Sequence, residues 1–309
     1  MNIVCFGESL IDFKDTGRLA FQGYVGGSPL NVAVAAARLG ADVGFAAQVS
    51  RDLFGAYIRR HMQDNRIDTS FLLGSDAPST LAFVEEEGGE AHFSFMANAT
   101  ADTLYDPQPR PELPESLRLV MFGSISLLQE PAATAIVETV AKHRNRSLVV
   151  FDPNVRPTLI ENRATYLQQL ERWLALAHIA KVSTQDLGWL HPDRPIEDVA
   201  RAWLERGPDA VIVTRGDEGV SLFRRNADEL MVRAPRVEVA DTVGAGDTFT
   251  GGLMVRLLED SVRDVVNVTN DIWDDVLRFA AAAAAINCTR HGAQPPHRGE
   301  LDGFLDDGG

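Results

Sequence analysis

Short apolar runs alternate with longer stretches of helical periodicity along most of this chain, and that alternation narrows its fold more than any other feature. Strand-like runs lie at Ile3–Phe6, Val43–Val49, Leu119–Gly123, Leu148–Asp152, Ile179–Ser183 and Ala210–Thr214. Helical patterns lie at Pro29–Leu39, Phe54–Asn65, Pro131–His143, Ala164–Leu176, Ile196–Glu205, Asp247–Leu258 and Ile272–Asn287. Several runs are apolar at consecutive positions, so both faces of those strands need cover. Strand then helix, repeated, predicts an α/β fold with a doubly wound, mostly parallel sheet.

Two segments break the order. Asp12–Tyr24 is short and contains Gly, and Thr80–Met96 carries Gly88-Gly89 between two strand-like stretches, a hairpin signal. In a mostly parallel fold such strands predict a small separate sheet. Pro107–Pro114 reads as a surface connection and Asp306–Gly309 as a frayed end.

Acidic residues outnumber basic ones, 44 to 29, giving a net charge of −15. That balance argues against nucleic acid or an anionic membrane as partner, since both are held by neutralising phosphates. The two cysteines, Cys5 and Cys288, are far apart and predict neither a zinc site nor a disulfide framework; a reduced, cytoplasmic setting fits. Met1–Glu8 has no basic leader and reads as a first strand, while the apolar run Phe279–Ile286 is too short to span a bilayer.

Two glycine motifs carry chemistry. In Gly26-Gly27-Ser28-Pro29-Leu30-Asn31, Ser28 is expected to cap a helix that Pro29 begins and Gly40 ends. Gly26-Gly27 lets backbone approach a ligand, and Asn31 offers an amide to hydroxyl groups. The same residues also describe a well-capped helix after a turn, and this motif alone leaves both readings open. In Asp241-Thr242-Val243-Gly244-Ala245-Gly246-Asp247, small residues precede a helix expected to start near Asp247. Gly244-Ala245-Gly246 could form an anion hole for a phosphoryl group, because a helix start offers free N–H groups and a positive dipole end. A carboxylate there makes sense as the base that accepts a proton from an attacking hydroxyl, which is the role expected of Asp247.

Together these motifs resemble the ribokinase-like (PfkB-type) sugar kinase family, which carries a Gly-Gly…Asn block early and an Asp-Thr-x-Gly-Ala-Gly-Asp block late. The resemblance runs from Ile3 to about Ala293. It implies a single three-layer α/β domain over residues 1–309, with segments 12–24 and 80–98 forming an inserted β-sheet lid. It also implies ATP and Mg²⁺ as cofactors, with sugar and ATP as small-molecule partners, and a possible homodimer through the lid. Residue by residue, Asp12 matches the aspartate that binds sugar hydroxyls, although its sequence context also suits a turn carboxylate after the first strand. Thr214, Gly216 and Gly219 match a nucleotide loop. Asp186, in Ser183-Thr184-Gln185-Asp186, stands where the family often has the glutamate of Asn-x-x-Glu that helps position magnesium and phosphate. Asp241, Val243 and Gly292 match a monovalent-cation loop, implying K⁺ as activator.

Asp152-Pro153-Asn154-Val155-Arg156 resembles the Asp-x-Asn-x-Arg segment of fructokinases and 2-keto-3-deoxygluconate kinases, and gives Arg156 to the sugar or the phosphoryl group. The lid sequence Phe93-Ser94-Phe95-Met96-Ala97 has no cation for a substrate carboxylate, so Phe95 is expected against a neutral sugar. The resemblance to fructokinases implies transfer to the 6-hydroxyl of D-fructose, with 2-keto-3-deoxygluconate kinase, ribokinase and nucleoside kinase as alternatives. A dinucleotide-dependent oxidoreductase would need Gly-x-Gly-x-x-Gly after the first strand; the chain has Gly7-Glu8-Ser9-Leu10-Ile11-Asp12. No P-loop string occurs.

Overall fold

A computed structural model describes residues 1–87 and 90–307, without the side chains of 85–87 and 90–93. From the N-terminus come β1 (Ile3–Phe6), β2 (Leu10–Gly17), β3 (Ala20–Gly26), α1 (Ser28–Arg38), β4 (Val43–Ser50), α2 (Leu53–Asp64), β5 (Leu72–Ser75), β6 (Thr80–Glu87) and β7 (Glu90–Met96). The middle supplies β8 (Leu119–Gly123), α3 (Ala132–His143), β9 (Leu148–Asp152), α4 (Arg163–Leu174), β10 (Ile179–Ser183), α5 (Thr184–Leu190) and α6 (Ile196–Leu204). Last come β11 (Ala210–Thr214), β12 (Val220–Arg224), β13 (Leu230–Val232), α7 (Ala245–Glu259), α8 (Asn270–Cys288) and α9 (Arg298–Asp306).

The main sheet has the order β13-β12-β11-β10-β9-β8-β1-β4-β5. From β11 to β5 every pairing is parallel, while β12 and β13 add an antiparallel edge. All six strands expected from the sequence are in it. Strand alternation sorts their side chains into two cores. Ile3, Cys5, Leu119 and Met121 face α1, α7 and α8, packing with Val32, Leu253 and Trp273. Val4, Phe6, Val120 and Phe122 face α3, α4 and α6, packing with Ile136, Leu170 and Trp203. The result is a helix–sheet–helix sandwich of the α/β class, as expected. Among the described residues, no helix is long and apolar enough to cross a membrane.

The two irregular segments form a four-stranded sheet of order β3-β2-β6-β7. Strands β6 and β7 pair antiparallel up to Glu87 and Glu90, but the expected Gly88-Gly89 turn lies outside the described residues. Phe13 anchors this sheet to the body: it stacks on Phe83 at 5.3 Å and meets Phe54 of α2 edge-on at 5.6 Å. Asp12 alternates with Phe13 and projects from the opposite face. The chain end is helical through Asp306 rather than frayed from that point, and Gly308-Gly309 lie outside the described residues.

Helices α1 and α7 cross closely because α7 has Gly at the contact. A Cβ on Gly251 would lie 2.6 Å from the Ala35 Cβ and 3.0 Å from both the Ala36 nitrogen and the Val32 carbonyl oxygen. Two of these neighbours are backbone and the third is a methyl group on a helix, so none can swing aside. Gly→Ala in a helix normally gains about 1 kcal/mol, and overpacking costs about 1–3 kcal/mol. Gly251→Ala is therefore expected to lower the melting temperature, whereas Gly252→Ala, whose nearest neighbour would be the Ala280 Cα at 3.1 Å, should be tolerated better. A thermal melt showing Gly251→Ala as stable as wild type would refute this packing account.

Candidate active site

Two helix starts face each other at the carboxyl edge of the sheet. Helix α7 is preceded by Gly244 in the left-handed region, φ +74°. A Cβ there would come within 2.5 Å of the Ala293 Cβ, so the position requires Gly both for its backbone and for its space. The Ala245 N–H is donated to the Thr242 carbonyl and the Thr248 N–H to the Gly244 carbonyl. The N–H groups of Gly246 and Asp247 are thereby left at the helix start without a helical acceptor. The helix begins at Ala245, two residues earlier than the sequence suggested, so Asp247 stands inside its first turn.

Helix α1 starts after Gly27, φ +108°, where a Cβ would strike the Glu8 carbonyl oxygen at 2.6 Å. Pro29 and Gly40 occupy the start and stop positions expected of them. Ser28 does not cap this helix. Its hydroxyl instead donates to Asp247 Oδ1 at 2.7 Å, and Asn31 Nδ2 donates to Asp247 Oδ2 at 2.9 Å. Asn31, expected to meet ligand hydroxyls, is thus also a holder of Asp247. Burial pushes the Asp247 carboxyl up from the usual range; Ser28 and Asn31 oppose that shift, and Asp152 adds to it.

Asp12 sits within strand β2, opposite Tyr24 on β3 and Ala82 on β6, and not in a turn. A Cβ on Gly26 would lie 2.1 Å from Asp12 Oδ2, so Gly26 is the space into which this carboxylate folds. Burial raises Asp12 to about 6; Arg156 opposes the shift and Asp247 adds to it. Those two influences mark Asp12, Arg156 and Asp247 as neighbours. Arg156 Nη1 donates to Asn154 Oδ1 at 2.7 Å and to the Val155 carbonyl at 3.1 Å.

Phe95 pairs with Ala82, which pairs with Asp12, so Phe95 and Asp12 share one face of the small sheet, about 10 Å apart across two strand spacings. The side chain of Phe93 lies outside the described residues. One expectation changes here. The small sheet does hold a cation, because Lys14 lies two residues beyond Asp12 on the same face, with Nζ 3.9 Å from Asp241 Oδ2. Reading β7 alone missed it, since Lys14 arrives from a strand far away in sequence.

The sequence reading also missed a buried ion pair. Lys181 Nζ donates to Asp152 Oδ2 at 2.9 Å, with both side chains essentially inaccessible. A Cβ on Gly246 would lie 2.8 Å from that Nζ, so the ammonium lies directly against the start of α7. Burial opposes the charge on Lys181, but Asp152, Asp247 and Asp186 outweigh it and hold the ammonium above its ordinary value. A signal was present: Lys181 interrupts the apolar strand Ile179–Ser183, and a lysine inside a covered strand needs a partner.

Asp186 occupies a capping box with Ser183 at the start of α5 and accepts the Val155 N–H at 3.0 Å, tying that helix to the segment that carries Arg156. It is buried, which raises its carboxyl, and Asp152 raises it further. Thr214 closes β11 beside Ser183, on the same sheet edge, and Gly216 and Gly219 form the positive-φ turn into β12. Asp241 gathers its loop by accepting the N–H of Val243 at 3.0 Å and of Gly292 at 3.0 Å, while the Val243 carbonyl accepts Asn287 Nδ2 at 2.8 Å.

Known proteins match this chain over nearly its whole length. The model of the pfkB family carbohydrate kinases matches residues 1–298. Fructokinase-1 of Zea mays is 34% identical over 309 residues, covering 95% of this chain and 93% of its own. Aminoimidazole riboside kinase of Salmonella typhimurium is 31% identical over 304 residues, covering 97% and 93%. The crystal structure of fructokinase with bound ATP from Xylella fastidiosa has a TM-score of 0.88 at 29% identity, covering 99% of this chain and 98% of that one. Helix starts, small sheet and whole-chain similarity lead to one assignment: the protein belongs to the pfkB family of carbohydrate kinases.

Proposed function

We propose that the protein is an ATP-dependent fructokinase that transfers the γ-phosphoryl group to the 6-hydroxyl of D-fructose. The observation that carries the kinase chemistry is Asp247, fixed by two hydrogen bonds in the first turn of α7, beside N–H groups that have no helical acceptor. In the proposed step the hydroxyl proton passes to the Asp247 carboxylate, the new O–P bond forms, and the bond to the ADP oxygen breaks. Gly244, Ala245 and Gly246 shape the anion hole, and the helix start stabilises the transferred charge. Burial raises the Asp247 carboxyl above its ordinary range, which makes the ionised form a stronger proton acceptor.

Asp12, Asn31, Gly26, Gly27 and Phe95 are the proposed sugar side, and Arg156 reaches toward sugar or phosphoryl. Thr214, Gly216 and Gly219 are the proposed nucleotide turn, with Asp186 beside it for the Mg²⁺ that accompanies ATP. The loop joined by Asp241 offers a carboxylate and the carbonyls of Val243 and Gly292. These are hard oxygen donors suited to K⁺, which would steady the start of α7. Among the described residues no three His, Cys, Asp or Glu side chains gather as a metal site, so carbonyls would supply most of its ligands.

The choice of fructose rests on the relatives named fructokinase and on the Asp152–Arg156 segment. The riboside kinase relative sets the competing reading. A coupled ADP-release assay over fructose, ribose, aminoimidazole riboside and 2-keto-3-deoxygluconate decides between them. Fructose is expected to lead in kcat/KM by about tenfold or more, the cost of leaving buried polar partners unpaired with a poorer substrate. A lead for the riboside would overturn the sugar and leave the family intact.

Asp12 predicts a pH dependence. As a carboxylate it accepts hydrogen bonds from sugar hydroxyls, and it is ionised only above about 6. The apparent KM for fructose should therefore rise as pH falls through that value, and Asp12→Asn should show a high KM that no longer responds over the same range. A wild-type KM that stays flat from about pH 5 to 7 would contradict the role of Asp12.

A further inference from the structure

The opposite edge of the parallel sheet carries a second concentration of polar groups that phosphoryl transfer does not use. A cavity of about 390 Å³ lies where β8, β9 and β10 begin, beside the loop that follows α7. Arg118, Arg144, Arg146 and Arg263 line it, together with His178 and Ser147. Leu148, at one end of β9, borders the cavity, and Asp152, at the other end, stands in the active site. Four residue steps separate them, about 13 Å of strand.

This cluster runs against the charge of the chain, which is −15 overall. Several arginines elsewhere are spent on carboxylates, Arg110 on Asp106 and Glu138, Arg256 on Asp275, Arg298 on Asp302, while others such as Arg59 and Arg163 are held by carbonyls. None of the four cavity arginines forms an ion pair among the described residues. Arg118 and Arg144 are instead oriented by carbonyls, those of Val262 at 3.4 Å and Leu176 at 3.1 Å. Burial pushes Arg118 down and the nearby Arg263 pushes it further. Asp209 and Asp264 act on His178 from a distance, and Asp264 is already bonded by the Val266 N–H and the Asn267 amide. Glu112 also feels Arg146 but is already paired with Lys142, so four guanidinium groups against Asp209 and Asp264 leave a formal surplus of two positive charges.

A neutral donor completes the wall. His178 Nδ1 accepts the Val149 N–H at 3.0 Å, so in the neutral ring Nε2 carries the proton and can donate.

We infer that this cavity binds the phosphate ester of a sugar-sized molecule. A phosphate dianion balances the two surplus charges, and guanidinium forks match its oxygens. Volume sets the size: at roughly 30 Å³ per water the space holds about thirteen waters, more than a bare phosphate ion fills. The inference does not depend on which sugar the active site phosphorylates.

Titration calorimetry on the full chain in about 0.15 M salt tests it. The probes are glucose 6-phosphate, inorganic phosphate and glucose. Glucose 6-phosphate should bind, glucose should not, and inorganic phosphate should bind more weakly than the ester. Arg146 and Arg263 are both exposed, so the double variant Arg146→Ala/Arg263→Ala should melt like wild type and bind the ester about tenfold or more weakly. Absence of binding, an affinity unchanged in the double variant, or inorganic phosphate bound as tightly as the ester would each overturn the assignment.

Discussion

The site depends on one carboxylate shared between two helices. Asp247 belongs to α7, but both its oxygens are held from α1, by Ser28 and Asn31, across more than two hundred residues of chain. That contact does two jobs. It fixes the carboxylate in one orientation, and it locks the start of α7, with its unpaired N–H groups, against the start of α1. The close crossing at Gly251 makes the contact possible, because a wider crossing would take Ser28 and Asn31 out of reach. A few tenths of an ångström in helix packing therefore bear on chemistry that a loop could not position so well.

Around that joint the electrostatics are in tension. A centre proposed to receive a phosphoryl group is lined by Asp12, Asp152, Asp186 and Asp247. Burial raises Asp12, Asp186 and Asp247, which lessens the repulsion, and the Lys181 ammonium beside Asp152 supplies a fixed positive charge under the start of α7. Raised carboxyls bind more protons folded than unfolded, so they withdraw stability as pH climbs, for Asp12 from about 3.8 to about 6. The cost sits at the site where these carboxylates are proposed to serve the reaction, a common exchange of stability for activity.

The parallel sheet and both helix starts were legible in the sequence because backbone demands wrote them there. Gly27, Gly40 and Gly244 all hold positive φ, which other residues seldom adopt, and consecutive apolar residues mark strands covered on both sides. Four things were less legible. The edge strands β5 and β13 are four and three residues long and only partly buried, so their pattern is weak. Ser28 satisfies the local rules for a cap, and only its tertiary neighbour shows that its hydroxyl is used elsewhere. The Lys181–Asp152 pair joins adjacent strands, and while each residue hints at a partner, neither names it. The cation of the small sheet was hidden the same way, with Lys14 brought to the Asp12 face by strand alternation rather than by nearness to Phe95.

The most direct test of the account is Asp247→Asn, read as turnover alongside separate fructose and ATP affinities. The amide keeps the shape of the carboxylate, and the Ser28 hydroxyl can turn to accept its NH₂ while Asn31 still donates to its oxygen. Binding of both substrates should persist, while turnover falls by about 10²–10⁴-fold for want of a proton acceptor. Turnover close to wild type in the folded variant would contradict the claim that Asp247 is the base on which the site is built.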